Sequence, residues 1–162
     1  MSVGLAIRPV VVGDAGEVLT LQRAAYVTEA QLYDDVRLPA LTQSLDELRV
    51  ELEQGLAFKA TLGSGRMVGS VRARAHRGTL HVGRLVVAPD QQGRGIGSAL
   101  LERVERDAPA GTGTYALFTG HLSRANLRLY ERHGYVEVRR EPLHHGVDLV
   151  HLEKVVGARD AR

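Results

Sequence analysis

Two periodicities divide the chain. Residues 5–12 form an apolar-rich run closed by Gly13, the pattern of a first strand. Asp14 followed by Glu17 has the form of a capping box, and Val18, Leu21 and Ala25 recur at helical spacing, which predicts a helix over residues 15–28. A polar, proline-containing connection spans residues 30–43, and a second capping box, Ser44 with Glu47, starts a helix that ends at Gly55. Residues 56–62 and 67–76 read as strands joined through Gly63-Ser64-Gly65-Arg66, a hairpin signal. Arg77-Gly78 turns the chain into a strand over residues 79–88, with Gly83 in its middle marking a bulge. A helix over 97–107 presents Leu100, Leu101 and Val104 on one side, and a buried strand over 114–119 follows. Ser123 is the N-cap expected for a helix that Gly134 ends, and residues 135–140 and 146–153 complete the sheet.

Strands that start as antiparallel hairpins and later alternate with helices predict an α+β fold, a mixed and mostly antiparallel sheet in a three-layer sandwich. Residues 1–157 read as one domain, with residues 158–162 a fraying tail. No internal repeat or low-complexity segment interrupts this order.

The strand over 79–88 drives into Gln92-Gly93-Arg94-Gly95-Ile96-Gly97-Ser98, which opens the next helix. Glycines there let the backbone approach an anion closely, and the unpaired N–H groups of the helix's first turn point at it with the positive end of the macrodipole behind them. The spacing excludes two nucleotide motifs. No lysine follows any of these glycines as a Walker A loop requires, and the final glycine of a dinucleotide fingerprint is missing.

What remains, Gln92-x-x-Gly95-x-Gly97 after Leu85-Val86-Val87-Ala88-Pro89, resembles the acetyl-CoA signature of the GNAT superfamily of N-acetyltransferases. Downstream, Asn126, Tyr130, Gly134 and Tyr135 match that family's N-x-x-x-Y-x-x-x-G-[FY] pattern. The order of elements fits the same family, weakest over residues 25–43. The resemblance implies a GNAT-like acyl-CoA N-acyltransferase fold, acetyl-CoA as co-substrate and an amine of a small molecule or peptide as acceptor.

Composition narrows the chemistry. The 162 residues are 44% hydrophobic but only 4% aromatic, with no tryptophan, so the core falls to Leu, Val and Ala. Cysteine is absent, which excludes disulfides, a thiolate nucleophile and thiolate metal ligands. Acyl transfer must then proceed by direct attack rather than through a cysteinyl acyl-enzyme. Basic residues number 21 against 19 acidic, a net charge of +2 that does not suggest a nucleic-acid partner. Arg72, Arg74, His76 and Arg77 alternate, and Arg124, Arg128 and Arg132 recur at helical spacing, both patterns of solvated faces. With no leader-like start and no membrane-length apolar run, a soluble cytoplasmic protein without a metal is expected, and a homodimer is left open.

By resemblance, the Leu85 amide polarises the thioester carbonyl, Val86 and Val87 lie along the pantetheine arm, and the pyrophosphate sits on the amides from Gln92 to Ser98. That group comprises Gln92, Gly93, Arg94, Gly95, Ile96, Gly97 and Ser98, with Arg94 as an exposed countercharge. Tyr130 resembles the family's general acid, and Asn126, one helical turn earlier, shares its face and binds the arm. Aligned on the glycine motif, His81 stands where several family members carry a glutamate base, and His121 is its rival. Arg84 is too basic for that role. Tyr26, Glu29 and Tyr33 are the expected acceptor contacts, offering charge and ring faces to a cationic amine. A non-catalytic acyl-CoA sensor or partner-binding module is the competing reading, and Tyr130 argues against it.

Overall fold

Seven strands build one sheet in the order β1-β2-β3-β4-β5-β7-β6 in the computed structural model, which describes residues 4–144 and 146–157. They are β1 Ala6–Pro9, β2 Leu56–Thr61, β3 Met67–His76, β4 Thr79–Val87, β5 Thr114–Gly120, β6 Val136–His144 and β7 Val147–Val155. Their neighbours pair antiparallel except for β4 and β5, which run parallel. The helices are α1 Ala15–Tyr33, α2 Pro39–Thr42, α3 Leu45–Glu53, α4 Ile96–Arg106 and α5 Arg124–Arg132. No helix among the described residues is long and apolar enough to cross a membrane. The tail over residues 158–162 lies outside the described residues.

The first seven residues of β3 are all buried, because α4 packs on one face of the sheet while α1 covers β3 and β4. Leu80, Val71, Leu100, Leu101, Val104 and Leu152 are among the core's fully buried side chains. Ser44 caps α3 as expected: its Oγ accepts from the Glu47 N–H at 3.1 Å, and Glu47 Oε1 accepts from the Ser44 N–H at 2.9 Å.

The other two expected caps are corrected. A 3-10 turn, Val12–Asp14, runs straight into α1, so Asp14 is already in a helical conformation and cannot cap it. Its carboxylate instead accepts from the Val11 N–H and from Lys59, both at 2.8 Å, tying the turn to β2. Burial raises the Asp14 pKa, but these donors outweigh it and hold the group below the ordinary carboxylate value. Ser123 stands at the N-cap of α5, where its carbonyl accepts from the Leu127 N–H at 3.1 Å, but its side chain makes no cap bond and turns toward α1.

Three other expectations are corrected. Helix α1 does not stop at residue 28 but continues to Tyr33 and ends on Asp34, which takes the left-handed conformation at φ 50 that a glycine would usually supply. Arg72 is not on a solvated face: it is 7% exposed under α1 and α3. Its Nη1 donates to Gln22 Oε1 at 2.9 Å and its Nη2 to Glu51 Oε2 at 2.9 Å, while Gln22 donates to the Ala40 carbonyl at 2.8 Å. One buried guanidinium therefore fixes α1, α2 and α3 to β3. Strand β5 is also only half-buried, with Tyr115 and Leu117 in the core and Phe118 exposed.

The bulge lies one step beyond Gly83. Ser70 pairs with Val86 and Arg72 with Gly83, so Arg84 and Leu85 together oppose the single residue Val71. Arg84, not the glycine, carries the left-handed backbone, at φ 51. Strands β4 and β5 pair only from Thr79↔Thr114 to His81↔Ala116, then part. From Val82 onward, one edge of β4 has no strand beside it.

Candidate functional site

The parting of β4 and β5 opens a cavity of about 680 Å³. Val82 to Val87 form one wall, and Phe118, Thr119 and Gly120 of β5 form another. The turn before α4 closes one end, α5 lies along the side, and the last two turns of α1 overhang the other end. Val86 is buried in the core while Leu85 and Val87 are partly buried, so the freed main chain of β4 is what this wall chiefly offers.

At the glycine turn, Gly93 and Gly95 hold positive φ of 76 and 81, and Gly95 is the residue that caps α4. The helix starts at Ile96 rather than at residue 97; the Ile96 side chain is 1% exposed and pins the first turn to the core. No acidic residue occupies that turn, and Arg103 and Arg106 sit in the last one, so the N-terminal end of the dipole faces the cavity uncancelled by a side chain. Gln92, Gly93, Gly95, Ile96, Gly97 and Ser98 line the cavity, whereas Arg94 is exposed outside it. Ser98 Oγ lies 3.0 Å from His133 Nε2, which joins the starts of α4 and the end of α5.

Asn126 and Tyr130 both line the cavity from α5. Asn126 Nδ2 donates to Thr119 Oγ1 at 3.4 Å, bracing α5 on β5. Tyr130 is 6% exposed, and burial, with Tyr26 and Glu29 nearby, raises its pKa well above the ordinary phenol value. It therefore remains protonated, a donor, throughout the neutral range.

Tyr26, Glu29 and Tyr33 all reach the same cavity, because the extension of α1 to residue 33 keeps them on one face. Ser123 Oγ donates to Glu29 Oε2 at 2.6 Å, and the Tyr33 hydroxyl lies 2.7 Å from Ser123 Oγ and accepts from the Leu122 N–H at 3.0 Å. This chain of bonds ties α1 to the loop after β5. Gly120 permits it: a Cβ there would overlap the Tyr33 hydroxyl.

The two histidines are not brought to the cavity. His81 is exposed one pleat beyond Gly83 and lines a separate, smaller cavity with Phe118 and His151. His121 Nδ1 accepts the Asp148 N–H at 3.0 Å, so the neutral ring carries its proton on Nε2 and keeps no lone pair for an amine proton. Sequence reasoning missed Ser123 and Gly120, whose partners lie some ninety residues away on α1, and it set Arg84 aside although Arg84 lines the cavity.

A family model described as Acetyltransferase (GNAT) domain matches residues 29–156. The chain belongs to the GNAT acetyltransferase family. Over 110 residues it is 34% identical to a mycothiol acetyltransferase of Nocardiopsis dassonvillei, covering 67% of this chain and 33% of that protein. Over 102 residues it is 30% identical to an IAA acetyltransferase of Azospirillum brasilense, covering 61% of this chain and 67% of that protein. The chain spans from 25% to 67% of the length of the curated relatives it matches. A putative acetyltransferase from Salmonella typhimurium, solved with its cofactor acetyl-CoA, shares the fold at a TM-score of 0.74, with 18% identity over 94% of each chain. The three-layer GNAT fold expected from the sequence is thus the fold of this domain.

Gly120→Ala is expected to push Tyr33 out of its bonds and to lower stability by about 1–3 kcal/mol, the usual cost of overpacking. Urea unfolding measures it against Gly13→Ala, where nothing lies within 4 Å of the added carbon and the change should stay within about 0.5 kcal/mol.

Proposed function

We propose that this domain is an acetyl-CoA-dependent N-acetyltransferase that transfers acetyl directly to an amine. The observation that carries the reading is the bulge at Arg84 and Leu85 beside the parted strands, opening onto an uncancelled helix N-terminus with a protonated Tyr130 in the same cavity.

Coenzyme A fits the residues present. The left-handed glycines Gly93 and Gly95 have nothing within 4 Å of where a Cβ would stand, leaving room for a pyrophosphate against the amides of Ile96, Gly97 and Ser98. Val87 and its neighbours on β4 lack a strand on one side, so the amides of a pantetheine arm can complete that edge as an added strand would. Asn126 contributes a side-chain amide on the opposite wall.

Acetyl-CoA supplies an activated thioester carbonyl. The Leu85 N–H, turned by the bulge, donates to the oxygen on which charge develops when an amine attacks the carbonyl carbon. As the carbon–sulfur bond breaks, Tyr130 gives its proton to the departing sulfur, and solvent returns one. Glu29, the carboxylate lining the cavity, receives the proton lost by the amine, directly or through water. Tyr26 and Tyr33 present rings and hydroxyls to the acceptor beside it. His81 and His121 have no part in this scheme.

Gly95→Val should abolish coenzyme A binding in calorimetry while leaving the circular dichroism spectrum intact, since a β-branched residue resists φ 81 and fills the cradle. Unchanged affinity would refute the cofactor assignment.

Tyr130→Phe should lower kcat by roughly 10²-fold with little change in acetyl-CoA affinity, because the acid acts in the transition state. Full turnover would remove Tyr130 from the mechanism.

Glu29→Gln should remove or shift the acidic limb of the kcat/KM profile, whereas His81→Ala should leave it in place. A limb that moves with His81 instead would return the base role to the histidine, acting through water.

A further inference from the structure

Arg84 stands out among the cations of the cavity. Its backbone occupies the left-handed region at φ 51, which a side chain rarely adopts, yet the chain holds a long charged residue there. Its guanidinium carbon lies 5.9 Å from the Tyr26 ring centroid, its Nε is buried without a hydrogen-bond partner, and it makes no ion pair among the described residues.

No carboxylate among the described residues pairs with this charge. Its near neighbour Arg72 carries a like charge and is already engaged with Glu51 and Gln22, so the pair repels. Glu29 lies on the same wall, one helical turn beyond Tyr26, but is bonded to Ser123 and forms no ion pair with Arg84. An uncompensated, partly buried guanidinium is costly, and an anion that enters the cavity relieves it.

Position decides which anion. Three residues, Leu85, Val86 and Val87, separate Arg84 from Ala88, four steps of chain spanning up to about 13 Å at 3.3 Å per residue, and the glycine turn lies beyond. Arg84 is therefore remote from the phosphate cradle and adjacent to Leu85, where the carbonyl is polarised. A planar fork of donors there matches a carboxylate bidentately.

We propose that the acceptor is an aminocarboxylate, an amino acid or a close analogue, whose carboxylate pairs with Arg84 while its nitrogen lies between Glu29 and the carbonyl held by Leu85. The proposal rests on the transferase reading and adds the substrate class to it. A polyamine would set a second cation against Arg84 and Arg72, and an internal peptide N-terminus would lack the adjacent carboxylate.

The test compares thiol release from acetyl-CoA with a panel of free amino acids, their carboxamides and the corresponding decarboxylated amines, using the wild-type chain, Arg84→Gln and Arg84→Lys. A charge-assisted pair is worth roughly 10- to 100-fold in kcat/KM, so the wild type should favour its best amino acid over the carboxamide by that ratio, chiefly through KM. Arg84→Gln should bring the ratio to within about threefold of unity, and Arg84→Lys should restore part of it, with coenzyme A affinity unchanged by calorimetry in both. Carboxamides and amines turned over as well as amino acids by the wild type, or a preference that survives Arg84→Gln, would overturn the proposal and leave the transferase reading standing. Loss of coenzyme A affinity in Arg84→Gln would assign the residue to the cofactor and overturn it equally. No thiol release from any amine, with coenzyme A still bound, would overturn both readings.

Discussion

The parting of β4 from β5 is the constraint on which the rest of the molecule depends. Two parallel strands that pair for three residues and then diverge leave main-chain donors and acceptors exposed along one edge of β4, inside the fold. Such groups must find partners, in water or in a ligand, because an unpaired buried peptide group is costly. The bulge at Arg84 and Leu85 adds to the twist of β4 and re-aims its main chain at the same point. The opening is thus built into the sheet, and the side chains around it refine what it can hold.

A split sheet needs bracing on both sides, and two polar clusters supply it. On one face, Arg72 links β3 to α1, α2 and α3 through Gln22, Ala40 and Glu51. At the end where β4 and β5 are still paired, Glu105 of α4 accepts from Tyr135 at 2.8 Å and from Lys154 of β7 at 2.7 Å, and its main-chain carbonyl accepts from the Tyr115 hydroxyl at 3.2 Å. Burial and the Glu105 carboxylate raise the Tyr135 pKa far above the ordinary phenol value, so the donor is permanent. The Lys154–Glu105 pair is 13% and 12% exposed, which limits screening by salt. Partly buried charge pairs are directional where apolar packing is not, and here they fix β7 to the last turn of α4.

The walls of the cavity divide the electrostatic work by position. The N-terminal end of α4 presents main-chain amides and a dipole, with Arg128 and Arg132 of α5 also lining the cavity and Arg94 exposed outside it. The α1 wall carries Glu29 within a relay of hydroxyls, and the bulge carries Arg84 over Tyr26. Tyr130 lies between these ends, neutral and buried. The dipole at one end of the cavity and the mixed charges of Glu29 and Arg84 at the other are thus separated along its length.

The sequence by itself determined the features that depend on a few consecutive residues: the order of elements, the capping box at Ser44, the glycine turn before α4, and the shared face of Asn126 and Tyr130. Each follows from steric limits or helical period within a single element, and each was legible with the motif spacing that marks the family. Tertiary structure alone decided the rest. That the bulge falls on Arg84 and not on Gly83 is set by pairing with Val71 on another strand, and that Arg72 is buried rather than solvated follows from helices laid over it. The reach of α1 to Tyr33 depends on Asp34 accepting a left-handed turn, and the Ser123 side chain turns from its helix to bond Glu29, ninety-four residues away. The exclusion of His81 from the cavity follows from where two strands separate. These outcomes are set by pairings between residues far apart in the chain, and local periodicity carries no information about which distant partner a side chain will meet.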